Sequence, residues 1–236
     1  MDSHTGHLGK DLEAMTFAEN YHRWILAEFL PFLGNVVAEV GAGTGNFTQL
    51  LAATKISSLV AIEPSDDLYR SLLNAVGELD NVQTVRGFFG DHQDRFEQQF
   101  DTVLYVNVLE HIEDDLGELQ LVHGSLREDG NLCIFVPALS WLYSDIDKEV
   151  GHFRRYHKAP LVSLVESAGF EVVEAKYFDL LGIAPWYVAY VLMKKDITGG
   201  DVAVYDKAIV PVMRWIEQRV TPPIGKNLLL VGKKRH

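Results

Sequence analysis

The stretch that decides the fold is Val36-Val37-Ala38-Glu39-Val40-Gly41-Ala42-Gly43-Thr44-Gly45-Asn46-Phe47. A short apolar run ends in three glycines within five positions. Glycine adds nothing to a core and costs a helix about 1 kcal/mol relative to alanine. A strand that ends in glycines before a helix instead frees backbone N–H groups to face a ligand. The spacing is G-x-G-x-G with Asn46 following, so it departs from the dinucleotide pattern G-x-G-x-x-G, and the Gly-Lys-Ser/Thr of a P-loop is absent.

Outward from this loop, short unalternated apolar runs recur at Leu59–Ile62, Val82–Val85, Thr102–Val106 and Leu132–Val136. Such runs suit strands buried on both faces. Between them, 46–54, 66–76 and 115–126 carry apolar residues at helical spacing. The alternation predicts an α/β fold, a mostly parallel sheet with helices on both faces. A lead-in helix is expected within 12–33, with Trp24, Ile25, Leu26, Phe29 and Leu30 on its apolar face. Glu63 closes the second strand, 18 residues beyond Gly45 (63 − 45). That is near the offset of about 20 at which a carboxylate meets a ribose diol.

The chain has 236 residues, 47% of them hydrophobic, and a formal net charge of −12. The size suits one domain, and the charge excludes an electrostatic footprint for nucleic acid or stable docking on anionic lipid. A single cysteine, Cys133, precludes an internal disulfide. No run reaches the roughly 18 apolar residues of a spanning helix, and no signal pattern opens the chain. A cytoplasmic protein without membrane insertion is expected.

Four segments taken together, VVAEVGAGTGNF (36–47), AIEPS (61–65), FDTVLYVNVLEHIEDD (100–115) and LREDGNLCIFVP (126–137), resemble the successive motifs of the class I S-adenosylmethionine (SAM) dependent methyltransferases. With GHFRRY (151–156) and the long tail, the chain most resembles bacterial small-molecule methyltransferases found beside glycosyltransferases. The resemblance implies a Rossmann-like seven-stranded sheet with its last strand antiparallel. One methyltransferase domain would then span 1–236: a lead-in over 12–33, a SAM-binding core over 34–178, a helical insertion over 179–226 and a last strand and tail over 227–236.

By the same resemblance, Glu39, Gly41, Ala42, Gly43 and Gly45 would hold the methionine part of SAM. Glu63 and Pro64 would bind the ribose, Asn107 and Val108 would line the floor near the sulfonium, and Tyr21 would close over the cofactor. The family's Gly-Asp after the third strand is replaced by Gly87-Phe88-Phe89-Gly90-Asp91, so Phe88 and Phe89 are expected at the adenine and Asp91 is read as a loop acid.

An oxygen acceptor needs a base, and His111, His152 and Tyr156 are the candidates. Trp141, Tyr143, Asp145, Arg154 and Arg155 form a candidate acceptor wall. The competing reading of that stretch is an internal plug in which Asp147 or Glu149 pairs with Arg154 or Arg155. No metal site is expected, because Glu113, Asp114 and Asp115 at a helix start read as caps. The tail stripe Ile209, Val212, Met213, Ile216 and Val220 is expected to cover the acceptor mouth or to form a homodimer face. The acceptor is expected to be a small molecule or a glycan or lipid intermediate methylated at oxygen. A protein N-methyltransferase and a non-catalytic SAM-binding module are the alternatives.

Overall fold

The computed structural model describes residues 18–195 and 198–235. The part of the expected lead-in helix before residue 18 lies outside the described residues. From 18 on, the helix runs Glu19–Phe29 (α1). The strands are Val36–Val40 (β1), Ser58–Glu63 (β2), Val82–Arg86 (β3), Phe100–Val106 (β4), Leu126–Pro137 (β5), Phe170–Phe178 (β6) and Asn227–Lys234 (β7). They form one sheet in the order β3-β2-β1-β4-β5-β7-β6. Strands β1 to β5 pair in parallel, and β7 runs antiparallel to both β5 and β6.

Asn46–Ala52 (α2), Asp66–Val76 (α3), a single turn at Gln93–Phe96 (α4), Asp115–Ser125 (α5), Asp145–Glu149 (α6) and Lys158–Ser167 (α7) lie between the strands. The insertion holds Ile183–Trp186 (α8), which continues as a π-helical turn over Tyr187–Leu192, then Gly199–Ala208 (α9) and Val210–Glu217 (α10). Pro211 sits in the first turn of α10, so it starts that helix rather than kinking it.

The unalternated strands follow from two buried faces. On one face Val37, Leu59, Leu104, Cys133, Phe135 and Leu229 pack under Trp24, Ile25 and Phe29 of α1. On the other, Ala38, Val60, Val103, Tyr105, Ile134 and Leu230 pack against helices that include α5 and α7. Alternate residues of one strand therefore serve two cores, and neither set can be polar.

Sheet order reverses about β1, which has β2 on one side and β4 on the other. The carboxyl ends of these three strands frame the crevice where open α/β sheets take ligands. None of the helices among the described residues is long and apolar enough to cross a membrane.

Candidate active site

The loop after β1 is locked by its own amides. Gly41 N–H and Ala42 N–H both donate to the Ile62 carbonyl, at 2.9 and 3.0 Å. Gly43 N–H donates to Glu63 Oε2 at 2.8 Å, and Ser65 N–H donates to Glu63 Oε1 at 2.8 Å. Glu63 is thereby fixed at the end of β2 with acceptor capacity left on both oxygens. Burial raises its pKa, against the lowering effect of those two amides. Gly41 has φ +70°, and a Cβ there would lie 2.5 Å from Val108 Cγ2. Only glycine allows β1 and the turn after β4 to meet this closely.

Glu39 is buried beneath the loop, and its Oε2 has no hydrogen-bond partner. Thr48, whose hydroxyl is also unpartnered, stands nearby but outside bonding geometry. Burial, reinforced by the charge of Glu63, pushes the Glu39 carboxyl up to about 8. An orphaned buried carboxyl two residues before a glycine loop is an acceptor that a cationic amine can donate to.

After β4, Asn107 takes a positive φ of 55°, held by its N–H to the Phe135 carbonyl at 2.8 Å. Beyond β3, Phe89 turns into the core (1% exposed) and packs on Phe96, while Phe88 stays 67% exposed. Phe88 is therefore the one ring of the pair available at the rim. Asp91 accepts from Phe88 N–H at 3.0 Å and closes its own turn, as a loop acid does. Tyr21 is tied away from the glycine loop. Its hydroxyl meets Asp179 Oδ2 at 3.2 Å and Asn227 Oδ1 at 3.0 Å, and its ring lies edge-on to Phe135 and Phe178.

The segment after β5 is built around Asp147. Arg155 grips it with two bonds, Nε to Oδ1 at 2.8 Å and Nη2 to Oδ2 at 3.1 Å, and His152 Nδ1 meets Oδ1 at 2.8 Å. Burial alone would raise this carboxyl; the His152 and Arg155 contacts outweigh it and hold it at about 2. Arg154 bonds Asp115 Oδ2 at 2.7 Å and the Glu113 carbonyl at 2.8 Å.

Both guanidinium groups thus have internal carboxylate partners, Arg155 on Asp147 and Arg154 on Asp115. Tyr156 OH shares its one proton between Asp115 Oδ2 at 2.9 Å and the Leu109 carbonyl at 3.2 Å. Burial and the Asp115 charge raise its pKa. Tyr143 OH donates to the His152 carbonyl at 2.6 Å, and Asp145 pairs with Lys194 and Lys148. Asp114 caps α5 through Gly117 N–H at 3.0 Å, as read from the sequence.

His111 and His152 stack edge to face with ring centroids 4.6 Å apart. His111 keeps an open outer edge, yet crowding around its ring and the neighbouring His152 push its pKa down to about 4. Glu110, which the sequence reading passed over for His111, is fully buried beside them with neither carboxylate oxygen hydrogen-bonded. Its only sequence signal was its place between Leu109 and His111, directly past the fourth strand.

The insertion closes against this region. Trp186 Nε1–H donates to the Leu142 carbonyl at 3.1 Å, and Tyr187 meets Trp141 edge-on at 5.7 Å. Between α1 and the insertion lies a largely apolar cavity of about 340 Å³, lined by residues including Tyr21, Pro185, Trp186, Ala189, Val202 and Ile209. Behind the wall residues Lys226, Tyr21 and Tyr205, the buried Asp179 takes Lys226 at 3.0 Å and the hydroxyls of both tyrosines. Asp179 gave no sequence signal, because its partners come from α1, α9 and the approach to β7.

The profile of a methyltransferase domain family matches residues 16–175, more than half of the chain. The chain belongs to this methyltransferase family. An uncharacterized methyltransferase of Staphylococcus carnosus is 36% identical over 100 residues, which span 42% of this chain and 45% of that protein.

Two solved structures show the same fold. One is a chain of the Haloferax volcanii complex of the Trm112 methyltransferase activator with a methyltransferase, at TM-score 0.68 and 18% identity over 100% of this chain and 99% of that one. The other is a SAM dependent methyltransferase of Archaeoglobus fulgidus, at TM-score 0.60 and 18% identity over 89% and 91%. The family's cofactor is SAM, and the orphaned Glu39 oxygen together with the pinned Glu63 makes the cradle of this methyltransferase chain fit it.

Proposed function

We propose that this chain methylates an oxygen of a small molecule or of a glycan or lipid intermediate that carries an apolar portion. Bound SAM supplies a methyl group on a sulfonium, an electrophile that needs no activation by the protein. What remains for the chain is to hold the cofactor, exclude water and deal with the acceptor's proton. Glu39 and the loop from Gly41 to Gly45 would hold the methionine part, Glu63 and Pro64 the ribose, and Phe88 the adenine. Asn107 and Val108 would line the floor.

The observation that carries the acceptor class is the cavity under the insertion. Its walls are mainly aliphatic and aromatic, with Lys226 and Asp206 among the few charged groups that line it. Such a pocket selects a ligand by apolar burial and orients it by a few polar groups. Trp141 and Tyr143 stand at the neighbouring rim, where Trp186 and Tyr187 dock. Glu110 and His111 lie on the turn just past Val108, and His152, from the segment after β5, packs its ring against His111.

Incubation with methyl-labelled SAM and a cell extract, then separation into protein, lipid and small-molecule fractions, tests the reading. Label in an alkali-stable ether of the lipid or soluble fraction is the expected result. Label confined to lysine or amino-terminal nitrogen in protein would replace it with N-methyl transfer to protein. Absence of label despite SAM binding would favour a non-catalytic binding module.

A further inference from the structure

We propose that Glu110, His111 and His152 hold one divalent transition-metal ion, with open positions that receive the acceptor oxygen. Each residue offers one ligand atom, and these atoms all lie within 4.8 Å of one another. Glu110 Oε1 is 3.8 Å from His152 Nε2. Ligands around a zinc-sized ion sit about 3.3 Å apart, given bonds of about 2.0–2.1 Å. Small side-chain rotations therefore close the set.

Three independent features point the same way. First, Glu110 is 0% exposed, and both of its oxygens lack a partner. A buried carboxylate without hydrogen bonds is costly, and a cation is the partner that removes the cost. Second, Asp147 can only accept at His152 Nδ1, so that nitrogen carries the proton and the Nε2 lone pair points toward Glu110. A carboxylate behind an imidazole is the usual outer support of a metal-bound histidine. Third, the backbone is pinned around the cluster: Phe153 N–H donates to the Glu110 carbonyl at 2.8 Å, and His152 N–H to the Asp147 carbonyl at 2.7 Å.

Two imidazoles and one carboxylate favour zinc, cobalt, manganese or iron(II) over magnesium and calcium. Three protein ligands leave coordination positions free, as catalytic sites do. The charges also balance. Asp147 is neutralised by Arg155, so the ion with Glu110 carries one net positive charge, which an acceptor alkoxide would cancel. An acceptor hydroxyl on the ion loses its proton to solvent more readily, because the oxygen's charge is held by the metal. This role for the ion rests on the methyltransferase reading; the ion site itself does not.

The test is titration of the full chain with Co²⁺ and Zn²⁺, followed by calorimetry and by the visible spectrum of bound cobalt. SAM affinity is measured in parallel on the same samples. The expected result is one ion per chain, with no comparable uptake of Mg²⁺. Glu110→Gln and His152→Ala should each weaken binding at least about 100-fold, more than loss of an outer support would. The same variants should retain SAM binding, which also shows that they fold, and His92→Ala, outside the cluster, should bind metal as the parent does. Absence of stoichiometric binding in the parent chain, or binding unchanged in both variants, overturns the site. Metal binding lost while SAM still binds leaves the methyltransferase reading intact; SAM binding lost while metal still binds has the opposite consequence.

Discussion

Glu39 couples the cradle to pH. Its folded pKa of about 8 stands above the ordinary 4.5 of a glutamate carboxyl, so between these two values the folded chain holds a proton that the unfolded chain has released. Stability from this residue therefore falls as pH rises from about 4.5 to about 8. A cationic amine beside Glu39 favours its charged form and expels that proton. SAM binding at pH 7 should release up to one proton, seen by calorimetry in buffers of different ionisation enthalpy. The release should vanish in Glu39→Gln; an unchanged release in that variant would remove Glu39 from the cofactor's amine. The glycines and Glu63 were legible in the sequence because they act within a few residues of a strand end. Asp147 was legible as one of two acids able to pair with Arg154 or Arg155, but Glu110 was not, since its setting is a contact across 42 positions (152 − 110) that sequence spacing does not encode.

At the scale of elements, the strands were legible wherever both faces are buried. The expected run at Leu132–Val136 is instead a strand from Leu126 to Pro137, because Arg127, Glu128, Asp129 and Gly130 form a register shift against β4 rather than a loop. The tail stripe divides between a buried and an open side. Met213 is buried with Val210 against α1, but Val212 is 52% and Val220 64% exposed, so the helix meets the body along one edge only. The strap from Asp145 to Tyr156 is the element whose role most depends on tertiary pairing. Asp147→Ala would leave Arg155 buried without its partner, at a cost of about 3–5 kcal/mol. Denaturant unfolding should show that loss, whereas Arg154→Ala, at a pair whose arginine keeps 34% of its side chain exposed, should cost clearly less. Equal costs for the two would contradict the plug.

Over the whole molecule, the sheet supplies a cofactor crevice at the reversal of strand order, and the insertion supplies a separate apolar room beside it. Trp186 lines that room, donates to the Leu142 carbonyl and has the Arg155 guanidinium over its ring at 4.8 Å. Trp186→Ala should raise the acceptor KM and lower kcat/KM about 10-fold or more while SAM affinity holds, since the ring lies on the acceptor side; the expected loss matches one buried aromatic contact. A fall in SAM affinity of the same size would move the insertion into the cofactor's site. The half-exposed face of α10, with Val212 and Trp215 outward, keeps the homodimer expectation open to sedimentation. A dimer that dissociates in Val212→Glu with activity intact would assign that face to the interface.

In the proposed function the loop from Gly41 to Gly45 and the carboxylate it pins hold SAM. Calorimetry of SAM binding to the parent chain and to Glu63→Ala tests it most directly. Hydrogen bonds to a charged acceptor are worth about 1.5–3 kcal/mol, so the variant should bind about 10- to 150-fold more weakly. A parent chain that binds NAD tightly and SAM not at all, or a Glu63→Ala variant with parental SAM affinity, would contradict the account.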